Sequence, residues 1–174
     1  MAELRLITAR LVVLSVVAVA ACRSSEAGPG SGLTPPAGWQ TLPQLATAAR
    51  DAAKESRLTV DGVEAWGDTS RGCYAAWFAL RGGGGAPDVM ADQLVKSLSV
   101  EPALLGILVH DVVKPAPASA SGVLSLSFVR GAYRGKLRAT LAKDGKLAAL
   151  TCFWSHREPL ACEQGCNALV GSMR

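Results

Sequence analysis

The sequence predicts an α+β fold, an antiparallel sheet of about five or six strands with packed helices, and three observations carry that prediction. The expected elements run helix, two strands, helix, three or four strands, helix, without the regular alternation of a doubly wound sheet. The apolar period changes from helical to alternating after Leu58 and again after Gly106. Asp144-Gly145 lies between two strand-like runs, a strong short-range hairpin signal. The 174 residues, 49% hydrophobic and 18% charged, suffice for one ordinary domain and fit neither a disordered chain nor a coiled coil. A net charge of +4 falls far short of the basic footprint of a dedicated nucleic-acid binder, so no nucleic acid is expected as a partner.

Arg5 and Arg10 precede an uncharged run of eleven residues, LVVLSVVAVAA from Leu11 to Ala21, which is the pattern of a signal peptide over residues 1–21. A bilayer span needs about 20 apolar residues, so the run is too short for a mature membrane helix. Its end, Val19-Ala20-Ala21-Cys22, resembles the bacterial lipoprotein box. That resemblance implies a diacylglyceryl group on the Cys22 sulfur and a further acyl chain, such as palmitate, on the freed amine. More than one chain anchors stably where a single chain is marginal. It implies a lipoprotein of the bacterial cell envelope, held to the membrane by its N-terminal lipid and facing the periplasm. Arg23 stands where Asp would retain an enterobacterial lipoprotein in the inner membrane, which implies the outer membrane. An ordinary secreted protein cut nearby is the alternative. Removal of residues 1–21 leaves 153 residues and a net charge of +3.

After Cys22, residues 23–38 hold ten Ser, Gly or Pro in sixteen positions, a composition that reads as a flexible tether with a mean reach of roughly 20 to 24 Å. Residues 39–174 then form a single domain starting at Trp39. Leu42 to Ser56 is an Ala-rich helix with Pro43 early in it, and Val60 to Asp68 and Cys73 to Arg81 are strands around a turn-like cluster. Both alternating sets of the second strand are apolar, which predicts cover on both faces. Gly82 to Gly85 breaks the strand, and Pro87-Asp88 opens a helix to about Ser99 with Val89, Leu94, Val95 and Leu98 as its apolar stripe. Strands at Gly106 to Val113, Val123 to Val129, Lys136 to Ala142 and Lys146 to Ser155 follow, and Pro159 introduces a last helix ending near Met173. The final hairpin and helix, from Tyr133 through Ser172, resemble the end of the PsbP-like α/β/α sandwich, a family mostly of accessory or binding proteins without shared catalytic residues. The resemblance covers about a quarter of the chain and implies that sandwich for the whole domain.

With Cys22 taken by lipid, Cys73, Cys152, Cys162 and Cys166 remain, an even number that reads as two disulfides in an exported domain. A two-residue turn at Asp144-Gly145 would pair Lys143 with Lys146 and place Leu137, Ala139 and Leu141 on the face of Cys152. Counting rises along strand and returning helix then sets Cys152 most nearly level with Cys166, leaving Cys73 for Cys162, with the other two pairings open. A zinc site from these cysteines and His156 is the metal alternative, disfavoured because Cys162 and Cys166 have no second close pair. No metal and no cofactor are expected.

In the same register Lys136, Arg138 and Thr140 share an outer face with Thr151 and Phe153, and Arg130 to Lys146 holds six cations against Asp144 alone. Arg134, Lys136, Arg138 and Phe153 are therefore the candidate face for an anionic ligand: anionic lipid, acidic polysaccharide or an acidic protein. The competing reading is a solvated sheet face kept from aggregating by charge. Gly82 to Gly85 leading into a helix could cradle an anion, but no G-K-[ST] follows, and a flexible connection is the simpler reading. His110 and Asp111 are neighbours on one strand and are expected to point to opposite faces. No serine elbow motif is present. The functional reading is a lipid-anchored envelope protein with a non-enzymatic binding or scaffolding role, and the alternative is a small envelope hydrolase using His110 or His156 as base.

Overall fold

The computed structural model of the chain describes residues 30–55, 58–100, 106–155 and 159–173. Residues 1–21, read as a signal peptide, Cys22 and His156 lie outside the described residues. Ten elements run β1 (Gln40–Thr41), α1 (Pro43–Glu55), β2 (Thr59–Asp68), β3 (Cys73–Arg81), α2 (Pro87–Val100), β4 (Ile107–Val113), β5 (Ser121–Arg130), β6 (Tyr133–Ala142), β7 (Lys146–Ser155) and α3 (Pro159–Ser172). The strands form one antiparallel sheet in the order β1-β2-β3-β7-β6-β5-β4. That is seven strands where five or six were expected. The added one is β1, two residues paired with Gly67 and Trp66, too short to leave a period in the sequence.

Helices cover both faces of the sheet. On one face α1 lays Ala49 and Ala53 against Val63, Ala65, Ala76 and Phe78, while α2 lays Met90, Ala91, Leu94 and Leu98 against Leu124, Leu126, Leu137, Ala139 and Leu141. Val89, expected in the stripe of α2, is 46% exposed, and Met90 and Ala91 take its place one residue on. On the other face α3 buries Cys162, Cys166 and Leu169, spaced four and three apart, against Trp66, Cys73, Ala75, Trp77, Leu150, Cys152 and Trp154. β3 and β7, at the centre, are apolar on both sides because both sides are covered, as the double apolar pattern of β3 predicts.

Two bridges pin α3 to the sheet. Cys73 is joined to Cys162 with Cα atoms 5.3 Å apart, and Cys152 to Cys166 at 5.7 Å. These are the partners that the level count favours, and they leave no cysteine of the four for zinc.

Two expectations are corrected. The β6–β7 ladder pairs Leu141 with Leu147 and Lys136 with Cys152, one residue away from the two-residue-turn register. A two-residue Asp-Gly turn needs positive φ at both residues, but here only Gly145 adopts it, at 83°, and Gly145 N–H donates to Ala142 O at 2.9 Å. Lys143, Asp144 and Gly145 therefore form a three-residue loop, and every side chain of β7 falls on the opposite face from that expected. The segment read as a tether is also corrected, for residues 30–38. Ser31 N–H donates to Glu64 Oε1 at 3.0 Å, Leu33 and Trp39 pack into the α3-side core, and Pro36 abuts Gly165 of α3. This strap lies on the sheet beside α3, because Leu33 and Trp39 supply apolar anchors that the Gly/Pro/Ser count overlooks.

Candidate functional site

The alternation of β5 and β6 builds the candidate site. Leu124, Leu126 and Phe128 turn to α2, as do Leu137, Ala139 and Leu141, so the intervening residues stand on the α3 side. There the ladders align rows across the sheet. Leu108, Val129, Arg134 and Trp154 form one row, His110, Ser127, Lys136 and Cys152 the next, and Ser125, Arg138, Leu150 and Trp77 a third. Val123, Thr140 and Ala148 form a fourth. α3 lies over β3, β7 and part of β6, and among the described residues no helix packs on this side of β4 and β5. The result is an open-sided groove along α3, floored by Arg134, Lys136, Arg138 and Thr140 of β6 and by Val129, Ser127, Ser125 and Val123 of β5.

Each predicted cation has its own place. Lys136 is held by α3: its Nζ donates to Asn167 Oδ1 at 2.7 Å and lies 3.4 Å from Glu163 Oε1. Asn167 and Glu163 are one helical turn apart, so both reach the same ammonium. Arg134 is exposed near the end of β6. Arg138 is half-buried between Ser125 and Leu150, and its Nε is shut off from solvent without a hydrogen-bond partner. Thr140 Oγ1, two residues along the same strand face, is likewise buried and unpartnered.

Phe153 does not belong to this face. It pairs with Gly135 and Tyr74, stacks on Tyr74 with ring centroids 5.1 Å apart, and meets Tyr133 edge-on at 6.2 Å, on the side of α1 and α2. Burial pushes the Tyr74 hydroxyl pKa up, with the neighbouring Tyr133 adding to the shift. The one-residue register change moves Phe153 away from the cations.

His110 and Asp111 also depart from expectation. The β4–β5 register shifts between His110 and Val113, and Asp111 has φ 53°, so strict alternation fails at this point. The Nδ1 of His110 and Oδ2 of Asp111 are 2.7 Å apart. A carboxylate only accepts, so the imidazole donates from Nδ1. The two side chains are 50% and 75% exposed on the sheet edge, and among the described residues no hydroxyl is bonded to the imidazole.

Neither the protein-family models nor the curated proteins contain a match to this chain.

Two further features were illegible or misread in sequence. The glycine run closes on the hairpin loop instead of cradling an anion or hanging free. Gly82 N–H donates to Gly145 O at 3.1 Å and Gly85 N–H to Lys143 O at 3.2 Å, and any Cβ on Gly84 would press on Lys143 O. On the far side of α3 the strap leaves a half-open cleft of about 600 Å³ lined by Ser31, Leu33, Trp77, Ala148, Ala168 and Met173. The serines of the groove were legible, since Ser125 and Ser127 are the polar half of the Val123 to Val129 alternation. Their partnership with Arg138 needed the register.

Proposed function

We propose that the chain is a lipid-anchored protein of the bacterial envelope, held through Cys22, with a non-enzymatic binding role carried by the α3 side of the sheet. Its partner is the anionic surface of the membrane that carries it. The observation behind this reading is that the strap at residues 30–39 and the cations of β6 lie on the same face, on either side of α3. Residues 22–29 are eight in number and span about 29 Å at most when extended, so an anchor at Cys22 would keep that face near the headgroups. Helices on both faces of an antiparallel sheet support the PsbP-like reading of the architecture. The exposed position of His110 and Asp111 speaks for an edge pair over a general base, which works best in a site that excludes water.

Labelled palmitate should enter the wild-type chain and not Cys22→Ala. The mature chain, residues 22–174 with Cys22→Ser, should sediment with phosphatidylglycerol vesicles at low salt and not with phosphatidylcholine vesicles. Label in the mutant, or equal sedimentation with both vesicles, would overturn the respective half of the proposal.

A further inference from the structure

We infer that Arg138 is the centre of a site for one tetrahedral oxyanion, a phosphate or phosphate ester, completed by the hydroxyls of Thr140 and Ser125. The inference rests on the anionic-ligand reading and names the chemistry within it. Five side-chain atoms among the described residues are buried without a partner, and Arg138 Nε and Thr140 Oγ1 are the two that share one face of one strand. Leaving a buried polar group unpaired is costly, more so when it is charged, so two on one strand face mark a place where a bound oxyanion would supply the missing partners. The guanidinium of Arg138 has no hydrogen bond or ion pair among the described residues, although Lys136 in the next row has two partners on α3.

The spacing suits one ion. Residues two apart on a strand lie about 7 Å from each other, and directly opposed residues have Cβ atoms roughly 5 Å apart. Arg138, Thr140 and Ser125 thus stand on three corners of a patch small enough for their donors to converge. Neither the Ser125 nor the Ser127 hydroxyl has a hydrogen-bond partner among the described residues, so both can donate to a ligand. A carboxylate offers two oxygens to this set, whereas a phosphate offers three or four and accepts the paired donors of an arginine fork. Glu163, the nearest carboxylate on the wall, is engaged by Lys136 and so opposes the anion weakly.

The test uses the mature oxidised chain with Cys22→Ser and three probes: inorganic phosphate, glycerol phosphate and phosphatidylglycerol vesicles. The Nε–H signal of Arg138, assigned by its loss in Arg138→Lys, should shift saturably with phosphate and not with acetate at matched ionic strength. Arg138→Gln should abolish saturation. Thr140→Val, nearly equal in shape, should weaken phosphate about threefold to tenfold without disturbing the spectrum elsewhere, which covers the case of an Arg138 variant that fails to fold. Glycerol phosphate binding as well as phosphate does points to a headgroup, and phosphate alone to the free ion. Equal, non-saturating shifts with phosphate and acetate, or full affinity in a folded Arg138→Gln, would overturn the site. Saturable phosphate binding without vesicle sedimentation would keep the site and refute the membrane reading. Sedimentation of wild type with no saturable phosphate shift at Arg138 would keep the membrane reading and refute the site.

Discussion

Lys136 stands directly opposite Cys152 in the β6–β7 ladder, so a lysine and a disulfide share one face of the sheet and α3 is fastened to both. The bridge sets the height of the helix above β7, and Asn167 and Glu163 set its lateral position over β6. The groove beside α3 inherits its width from these two attachments, which links the fold to the proposed binding.

Loss of the bridges should be costly. The loops closed by Cys73–Cys162 and Cys152–Cys166 separate partners by 89 and 14 residues, worth about 4 to 5 and about 3 kcal/mol in the chain-entropy picture. Cys73→Ala with Cys162→Ala should lower Tm by roughly 10 to 20 °C, and Cys152→Ala with Cys166→Ala by less. Calorimetry on both pairs checks the order, and the reverse order would contradict it.

Gly145 reports the register. Its φ of 83° and the approach of Gly82 O leave no room for a side chain, so Gly145→Ala should cost at least about 1 to 2 kcal/mol by strain alone. Urea unfolding gives the value. A neutral substitution would mean that the loop is not the three-residue form.

Acid stability should carry the mark of Asp61. Its hydrogen bond from Arg81, two contacts of 2.7 Å, holds the carboxyl below its ordinary 3.8. A depressed carboxyl pKa stabilises the fold above the unfolded value, and the contribution is lost as pH falls through the folded one. Wild type should therefore melt above Asp61→Asn at neutral pH, with the gap closing below 3.8. Tm measured from about pH 7 to about pH 2 decides it, and a gap independent of pH would exclude the pair as its source.

Most of the element order was legible in the sequence because period and breakers report local structure. Pro43, Pro87 and Pro159 each open a helix, and Lys136 to Ala142 alternates between polar and apolar residues along most of β6. The face assignments were not legible, because a loop of two or three residues at Asp144-Gly145 reads the same in sequence while inverting β7. The cysteine partners came out of the level count, which depends on distance along the elements and survives that inversion. The strap was missed because single side chains, Ser31 and Leu33, hold it in a segment whose composition signals a tether, and β1 because two residues leave no period. The His110–Asp111 pair was missed because a bulge breaks the alternation that sequence reasoning assumes.

If the α3 side of the sheet meets anionic surfaces, charge-matched variants on the two faces should bind them differently. Arg134→Gln with Arg138→Gln removes two cations from the groove while sparing Lys136, which is bonded to Asn167 and Glu163 of α3. Lys54→Gln with Lys96→Gln removes two from α1 and α2 on the other side. Each mature chain, with Cys22→Ser, is sedimented with phosphatidylglycerol vesicles at low salt and at about 0.15 M, where exposed charges are screened beyond about 8 Å. Binding should be weakened by salt in wild type and in the Lys54/Lys96 variant, and lost in the Arg134/Arg138 variant. Equal loss in both variants would show attraction by net charge alone and contradict binding through the α3 side, as would full binding by the Arg134/Arg138 variant.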